Sequence, residues 1–530
     1  MASNEQYERL GAKTLSLVDV VAQSVGFMGP VFSAAFLIPL IAGLNATGKG
    51  AGLATPFAVI LAAIGTFAMG WIVAEYAKRI HAAGSLYDYV TNGLGERVGT
   101  IAGWLYYGAT TVLASAIAVL IGGLVHDTLA GEFGFTAVPY WVWNLAFVGL
   151  VAYVMWAGVQ ISTRVQLALS LISAGVVLLF FVDVILKAPS QDLSVFTPAA
   201  SEQGWSGILF GVLYGVLIFV GFETAANLAE ETAEPKRSIP RAILTSVVIV
   251  SVFYLIAAYA QVAGFGFDLN TLLGEAAAAP LFALGSPAEV GGYGSSLILK
   301  LLELVVVLDI AAVGVGAATA SSRGVFALAR DRRIPAFFAR VSPSHGGPTG
   351  AIAFVSRWSL FVVLWEFIGP GVAPLDGYFP MFAWLSTFGG FSLTAVYFLL
   401  CLGALRGLRD IGGKAVIASI VGMLVAGGAV FGGIYKQAHP FDKIWMTAAV
   451  PRPPAVPTIV SRRANSRSVR GPLFGKSSAS VTPGRGKPSM PGDLRSPKLF
   501  RTARKEPSPE REISCSMAPT TAGPSCFGTT

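Results

Sequence analysis

The feature that most constrains this chain is a series of eleven apolar runs, each close in length to a membrane-spanning helix. They cover residues 15–41, 56–78, 98–124, 139–157, 165–186, 205–229, 240–265, 297–327, 351–367, 378–405 and 415–434. An α-helix needs about 20 mostly apolar residues to cross a bilayer. Only 12% of the residues are charged, whereas a soluble protein carries about 25%. We therefore expect an all-α integral membrane protein with eleven transmembrane helices.

The positions of lysine and arginine between the runs predict the orientation of the chain. With residues 1–14 in the cytoplasm, seventeen Lys and Arg fall in cytoplasmic segments and five in outer segments. Positive residues concentrate in the short cytoplasmic loops of membrane proteins. The bias predicts a multi-pass protein of the plasma membrane, embedded in the lipid bilayer, with its N-terminus in the cytoplasm.

Two of the runs, the first and the sixth, are interrupted by glycine. The first contains SVGFMGP (residues 24–30), and the sixth contains FVGFE (residues 219–223). Interrupted segments at corresponding positions of two halves are the best sequence indication of a transporter built from inverted repeats. The two runs lie five helices apart, and an odd repeat reverses the topology. We therefore predict one repeat over 15–186 and a second over 205–405, with the helix at 415–434 outside both.

A broken helix leaves backbone N–H and C=O groups at membrane depth, where they are tolerated only if protein or water covers them. The amides that begin a half-helix after Gly29 and Pro30 suit a carboxylate, and the carbonyls before Glu223 suit an ammonium group. One anion site facing one cation site predicts a zwitterion, such as an α-amino acid. The alternative is that these glycines only allow close helix packing. On the first interpretation, valine at Gly26 or Gly221 abolishes ligand binding while the chain still folds.

Three blocks of the sequence carry a family resemblance. They are EYAKRIHAAGSLYDYVTNGLG (75–95), GFETAANLAEETAEPKRSIPRAI (221–243) and SSRGVFALARDRRIPAFFARVSPSHGGPTGAI (321–352). In this order they resemble the loop after helix 2, helix 6 with its following loop, and the helix 8–9 loop of the amino acid–polyamine–organocation permeases. The resemblance covers residues 14–435. It implies two inverted five-helix repeats, two further helices outside them, and transport of amino acids or related amines by alternating access.

Carried over by matching motif, the resemblance also implies which residues contact the substrate. They are Ser24, Val25, Gly26, Phe219, Val220, Gly221 and Phe222. The first three would offer backbone to the substrate carboxylate, and the others would offer carbonyls to its amine, with Phe219 in the position of the aromatic lid. Some proton-coupled relatives carry a lysine in helix 5, where others bind sodium. The matching coupling position here is Ser173, so coupling through that lysine is not available.

Two carboxylates inside the runs are further candidates for ion coupling. Glu223 would carry a proton or bind the amine, or would instead cap the inner half-helix through the helix dipole. Asp309 lies in the middle of the eighth run, where an acid is a functional candidate by default. A structural pairing of Asp309 with Lys300 or with a helix terminus is the alternative. Three hydroxyls of the eighth run would bind sodium or hydrogen-bond to their own backbone; they are Thr319, Ser321 and Ser322.

These patterns predict a secondary active transporter, a permease for amino acids or related amines that works as a symporter with protons or sodium. An exchanger, an ion channel and a non-transporting amino acid sensor are the alternatives, and a homodimer is left open. We expect no enzymatic activity, no cofactor, no metal site and no nucleic-acid partner. The three cysteines have no metal-ligand spacing, and the four histidines lie in loops or at helix ends.

The C-terminal part of the chain has a different composition. Residues 450–530 contain 14 Lys and Arg and 4 Asp and Glu, a net charge of +10, whereas the other residues have 23 basic and 25 acidic side chains, a net charge of −2. With 13 prolines and three aromatic residues, this segment is expected to be disordered. A twelfth helix is predicted to be missing or degenerate. Two explanations are open, a native extension and a reading-frame shift near residues 440–450.

Overall fold

The computed structural model describes residues 15–44, 50–274, 280–342, 346–368 and 377–435. Within these residues the chain forms helices joined by turns and loops, and it has no β-strand. Two isolated bridges pair Leu15 with Thr232 and Pro287 with Gly294. The predictions for the N-terminal residues 1–14 and for the tail 450–530 lie outside the described residues.

The described part of the chain contains α-helices α1 to α16. Their bounds are α1 Leu17–Met28, α2 Pro30–Phe32, α3 Ile38–Ala42, α4 Thr55–Ala77, α5 Leu86–Leu94, α6 Glu96–Phe133, α7 Tyr140–Ala157, α8 Val159–Lys187, α9 Gly204–Leu217, α10 Pro235–Gly264, α11 Leu269–Gly274, α12 Pro280–Gly285, α13 Ser296–Arg330, α14 Thr349–Ile368, α15 Tyr378–Gly407 and α16 Gly413–Ile434. A π-helical turn, Ser33–Leu37, joins α2 to α3, and a 3₁₀ segment, Phe222–Leu228, follows α9.

Helical structure coincides with each of the eleven apolar runs. In the part of the chain that the structure describes, nine stretches are long and apolar enough to cross a membrane; they are Leu17–Ala42, Gly52–Ala77, Glu96–Phe133, Tyr140–Ala157, Thr163–Lys187, Gly204–Leu228, Pro235–Gly264, Tyr378–Gly407 and Gly413–Ile434. Helices α13 and α14 cover the other two runs, and the apolar part of α14 is shorter, Thr349–Trp365. The architecture is therefore all-α and multi-pass, as predicted.

Local sequence signals explain where the first helix begins. Ser16 precedes α1 in extended conformation, and Asp19 is the third residue of the helix. The Ser16 hydroxyl accepts from Asp19 N–H at 3.4 Å, and the Asp19 carboxylate accepts from Ser16 N–H at 2.9 Å. This reciprocal capping box satisfies two amides that the first helical turn leaves without partners.

The packing places α13 in the centre and α8 at the periphery. Most residues of α13 from Leu299 to Ala329 are buried, and the helix packs against α1, α6 and α8. Helix α8 instead exposes a leucine face that includes Leu171, Leu179 and Leu186. An apolar exposed face suits contact with lipid. Asp309 and the later hydroxyls of α13, those of Thr319, Ser321 and Ser322, therefore lie inside the bundle, where burying an unpaired polar group is costly.

Candidate functional site

The first helix break separates α1 from α2. Gly29 adopts a left-handed conformation, with φ at +53°, and its N–H closes α1 by donating to the Val25 carbonyl at 3.0 Å. Residues with a side chain rarely adopt this conformation, so glycine suits the position. Pro30 then begins α2. In a continuous helix the N–H of residue 30 would donate to the Gly26 carbonyl, but proline has no N–H, so this carbonyl lacks its helical donor. The break leaves an acceptor without its helical donor at the end of α1.

A carboxylate from a distant helix occupies the amides that begin α2. Asp309 of α13 accepts hydrogen bonds from Val31 N–H at 2.9 Å and from Phe32 N–H at 2.8 Å, both at Oδ2. Its other oxygen, Oδ1, is buried and has no hydrogen-bond partner among the described residues. Of the two predicted structural pairings, the helix terminus is correct and Lys300 is wrong, because Lys300 Nζ lies 2.8 Å from Glu132. The protein's own carboxylate thus fills the anion site that the sequence predicted.

The second helix break follows α9. This helix ends at Leu217, and helical structure resumes as the 3₁₀ segment Phe222–Leu228. Between them Gly221 has φ at +119°, a conformation that favours glycine. A Cβ on Gly221 would lie 2.9 Å from the Met28 nitrogen and 2.9 Å from Phe27 Cβ. The two helix breaks, far apart in sequence, are therefore in direct contact.

One tyrosine hydroxyl spans both breaks. The Tyr254 hydroxyl of α10 lies 3.0 Å from the Met28 carbonyl of α1 and 2.6 Å from the Ile218 carbonyl after α9. A hydroxyl has a single hydrogen, so it cannot fully satisfy two acceptors at once. The Phe219 ring packs edge-on against Tyr254 with centroids 5.1 Å apart, and Val220 is buried in the same turn. The Met28 carbonyl also accepts from the Ser33 hydroxyl at 2.9 Å, so the contact between the breaks is polar and each carbonyl has a donor.

The Glu223 carboxylate is fully satisfied by three donors. Its Oε1 accepts from the Tyr106 hydroxyl of α6 at 2.5 Å and from the Tyr397 hydroxyl of α15 at 2.8 Å. Its Oε2 accepts from Gly221 N–H at 3.2 Å. Glu223 thus caps an amide at its own break, as the capping alternative predicted. No local pattern pointed to the two tyrosines, because each lies on a separate apolar helix.

Ser24 and Gly26 lie within α1, before the break. The Ser24 hydroxyl donates to the Phe222 carbonyl at 3.0 Å and accepts from Ala225 N–H at 3.3 Å, so it joins α1 to the 3₁₀ segment. A Cβ on Gly26 would lie 2.7 Å from Gln166 Cβ and 2.8 Å from Gln166 Oε1. At Gly26 the structure therefore agrees with the alternative interpretation of the glycines, close packing of helices, here of α1 against α8.

The hydroxyl candidates for ion coupling fall into two groups. Ser170 and Ser173 of α8 are buried, and the Ser173 hydroxyl has no hydrogen-bond partner among the described residues. Ser170 faces the Asp309 carboxylate. Ser321 and Ser322 donate to carbonyls of their own helix at 2.8 and 2.9 Å. Within the described ranges, no group of three His, Cys, Asp or Glu side chains could hold a metal ion.

Ion pairs tie the segment after the second break to the end of α13. Arg323 and Glu231 are both buried, with Nε 3.3 Å from Oε1, and Arg330 lies 2.7 Å from Glu230. The Glu231 carbonyl also accepts from Leu15 N–H at 3.0 Å, just before α1. A buried pair is costly to break, because the remaining charge is left unpaired. These contacts hold both broken helices together at one end of the bundle.

A further buried acid, Asp88 of α5, lies next to these ion pairs and outside the membrane-spanning helices. Burial raises the pKa of Asp88 to about 7, and the negative charges of Asp331 and Glu230 contribute in the same direction. Arg330 and a hydrogen bond from the Gly84 backbone oppose the shift. The Oδ2 atom of Asp88 has no hydrogen-bond partner in the described part of the chain.

This chain is similar to several proteins of known description. A family model described as amino acid permease matches residues 24–430. The branched-chain amino acid permease BcaP of Bacillus subtilis is 24% identical over 359 residues, which cover 64% of this chain and 71% of BcaP. The low-affinity putrescine importer PlaP of Escherichia coli K12 is 24% identical over 369 residues, covering 67% of this chain and 75% of PlaP. The solved structure of a manganese transporter from Eremococcus coleocola is 13% identical, with a TM-score of 0.49 over 88% of this chain and 95% of the transporter.

Proposed function

The chain belongs to the amino acid permease family, and from this premise we propose that it carries amino acids or related amines across the plasma membrane. The family consists of membrane transporters, so the chain is a transporter and not an enzyme. In this proposal the chain works by alternating access as an ion-coupled symporter, with its N-terminus in the cytoplasm. The permease and importer named above take a branched-chain amino acid and putrescine, which supports this range of substrates.

The observation that carries the proposal is the contact between the two helix breaks. Gly221 lies against Phe27 and Met28, so the irregular backbone of both helices is brought to one place. Unpaired backbone at membrane depth suits a polar substrate that supplies the missing partners. The residues proposed to contact substrate are Ser24, Val25, Gly26, Phe219, Val220, Gly221 and Phe222.

Transport by the purified protein in proteoliposomes tests this proposal. We expect saturable counterflow, in which an unlabelled amino acid or amine inside the vesicles accelerates entry of the labelled compound. Phe219→Ala removes a buried ring at the second break and should lower the affinity at least tenfold. Phe361→Ala, on the exposed face of α14, is the matched control and should leave it unchanged. A channel or a sensor would give no counterflow with any compound, and that result would refute the proposal.

We place ion coupling on a buried carboxylate, because Ser173 stands where some relatives have a lysine. Glu223→Gln should abolish accumulation driven by a pH gradient while leaving exchange intact, since exchange needs no net proton movement. Asp309 is the second candidate for the same role, and Asp309→Asn is compared under the same gradient. If wild-type accumulation requires sodium and ignores the pH gradient, the assignment to a carboxylate is wrong.

A further inference from the structure

Asp309 binds where the carboxylate of a zwitterionic substrate would be expected. Its Oδ2 accepts from the Val31 and Phe32 amides that begin the second half of the first broken helix. We propose that Asp309 replaces the substrate carboxylate, so that this transporter selects amines that carry no carboxylate next to their ammonium group. The inference rests on the proposed function and specifies its substrate class.

The polar groups around the first break are mostly acceptors. Asp309 Oδ1 is fully buried and has no hydrogen-bond partner in the part of the chain that the structure describes. The Gly26 carbonyl has no helical donor, since residue 30 is proline. The Phe27 carbonyl loses its helical donor as well, because the Val31 amide that would reach it donates to Asp309. A set of acceptors fits a ligand with several N–H donors, which is what an ammonium group provides.

The charge around Asp309 leads to the same ligand. Within the described ranges, no lysine or arginine forms an ion pair with Asp309. Lys300, on the same helix, is paired with Glu132. Among the described residues, the polar groups that face the carboxylate are the two amides, the Ser170 hydroxyl and the Tyr254 hydroxyl, and none of them is cationic. A buried charge without a partner is costly, and a cationic ligand would remove that cost.

The carboxylate of an amino acid substrate would be excluded from this position for two reasons. It would have to displace Asp309 from the two amides, which are the donors that a carboxylate needs. It would also lie beside a like charge in a medium of low dielectric constant, where repulsion is strong. An amino acid and the amine formed by removing its carboxylate differ in that carboxylate, which is the group that Asp309 would exclude.

The test measures binding of matched pairs to the full-length purified protein in nanodiscs. The pairs are ornithine with putrescine, lysine with cadaverine, and arginine with agmatine. We expect wild type to bind the amine of at least one pair at least tenfold more tightly than the amino acid. Asp309→Asn should lower that preference at least tenfold, because the neutral amide loses its attraction for the ammonium group. Glu303→Gln, with the same charge change on the same helix, is the control and should keep it.

The outcomes separate this inference from the proposed function. Tighter binding of the amino acids by wild type overturns the inference and leaves the permease proposal intact. This outcome is measured on the wild-type protein alone, so it does not depend on whether a variant folds. An unchanged preference in Asp309→Asn makes Asp309 a structural cap only and also overturns it. Stabilisation by sodium chloride relative to choline chloride, with no effect of any amine, assigns the site to an alkali cation and overturns it. If no amino acid or amine is counterflowed, the proposed function itself fails.

Discussion

The two helix breaks are each held by one buried carboxylate, and the two carboxylates differ in how many of their oxygens are satisfied. At the second break Glu223 comes from the broken helix itself, and both of its oxygens accept hydrogen bonds, from Tyr106, Tyr397 and the Gly221 amide. At the first break Asp309 comes from another helix, and only Oδ2 has partners. Both oxygens of Glu223 therefore have donors without a ligand, whereas only one oxygen of Asp309 has close donors.

This difference indicates that the carboxylates at the two breaks have different roles. A carboxylate with three donors is held firmly in position, since charged acceptors form strong hydrogen bonds. A buried carboxylate with one oxygen that lacks a close donor is less suited to a purely structural role, because its desolvation is less completely compensated. We therefore regard Glu223 as the support of the second break and Asp309 as the group that meets a ligand.

Valine at Gly221 should prevent folding. The residue needs φ at +119° and would bring a Cβ to 2.9 Å from the Met28 nitrogen, which is backbone and cannot move aside. Strain and overlap together exceed the ordinary cost of a mutation, so we expect a loss of more than about 4 kcal/mol. The measurement is the yield of monodisperse protein after solubilisation.

Two further glycine substitutions separate the breaks and serve as controls. Gly149→Val lies in α7, where a Cβ would meet no other atom within 4 Å, and it should be tolerated. Gly26→Val would meet Gln166 Cβ at 2.7 Å, but position 26 has an ordinary helical backbone, so without the added strain of a positive φ it should cost less than Gly221→Val. Normal yield of Gly221→Val with loss of ligand binding alone would restore the interpretation made from the sequence.

Glutamine at position 223 should destabilise the protein more than asparagine at position 309. Glu223→Gln turns one acceptor oxygen into a donor, so either the Gly221 amide or the two tyrosines lose their acceptor. A hydrogen bond to a charged group contributes about 1.5–3 kcal/mol. Asp309→Asn keeps one oxygen for both amides, because both bonds fall on Oδ2. Thermal unfolding of the two variants in the same detergent decides the order, and a lower midpoint for Asp309→Asn would contradict the comparison.

The sequence predicted the elements of the fold and the places where they break, but not what holds the breaks. The apolar runs and the glycines at positions 29 and 221 are local signals, and the helices and interruptions lie where these signals indicated. Asp309 reaches the first break across 278 residues of sequence, and Tyr397 reaches Glu223 across 174. Such contacts depend on how the helices pack, which hydrophobic periodicity does not encode.

The position of the first break within its motif was also beyond local reasoning. Helix α1 continues through Ser24, Val25 and Gly26 and ends at Met28. Glycine can remain helical at modest cost, and Gly26 does so because Gln166 fills the space beside it. Proline cannot continue the hydrogen-bond ladder, so Pro30 fixes the break one residue earlier, at Gly29. The stronger signal in SVGFMGP was the proline rather than the first glycine.

Asp88 offers a smaller, pH-dependent test of the same comparison, because it too has an unpartnered oxygen. Burial raises its folded-state pKa to about 7, so the folded state holds the proton more tightly than the unfolded state. Its contribution to stability is full below the unfolded pKa of about 4 and is lost as the pH rises through about 7. Between about pH 5 and about pH 7 the loss is at most about 1.4 kcal/mol per pH unit.

Asp88→Asn should therefore flatten the fall of the unfolding midpoint between about pH 5 and about pH 7. The matched control is Asp192→Asn in an exposed loop. Hydrogen bonds from the Ser194 backbone and hydroxyl lower the pKa of Asp192, so it stays ionised over this range. An equal slope in wild type and Asp88→Asn would show that Asp88 does not titrate in this window.

The smallest effect is expected at Tyr254, whose hydroxyl spans both breaks. Tyr254→Phe removes one hydroxyl hydrogen shared between the Met28 and Ile218 carbonyls, so it should cost about one neutral hydrogen bond, about 0.5–1.5 kcal/mol. Tyr106→Phe is the matched variant at the second break, and it removes a donor to the Glu223 carboxylate, a stronger bond. Both lose the same atom from a buried ring, so packing changes are alike, and unfolding midpoints measured side by side compare the two breaks directly. If Tyr254→Phe were the more destabilising, the first break would depend on its own hydrogen bonds as much as the second, and it would not be the incomplete site that a ligand completes.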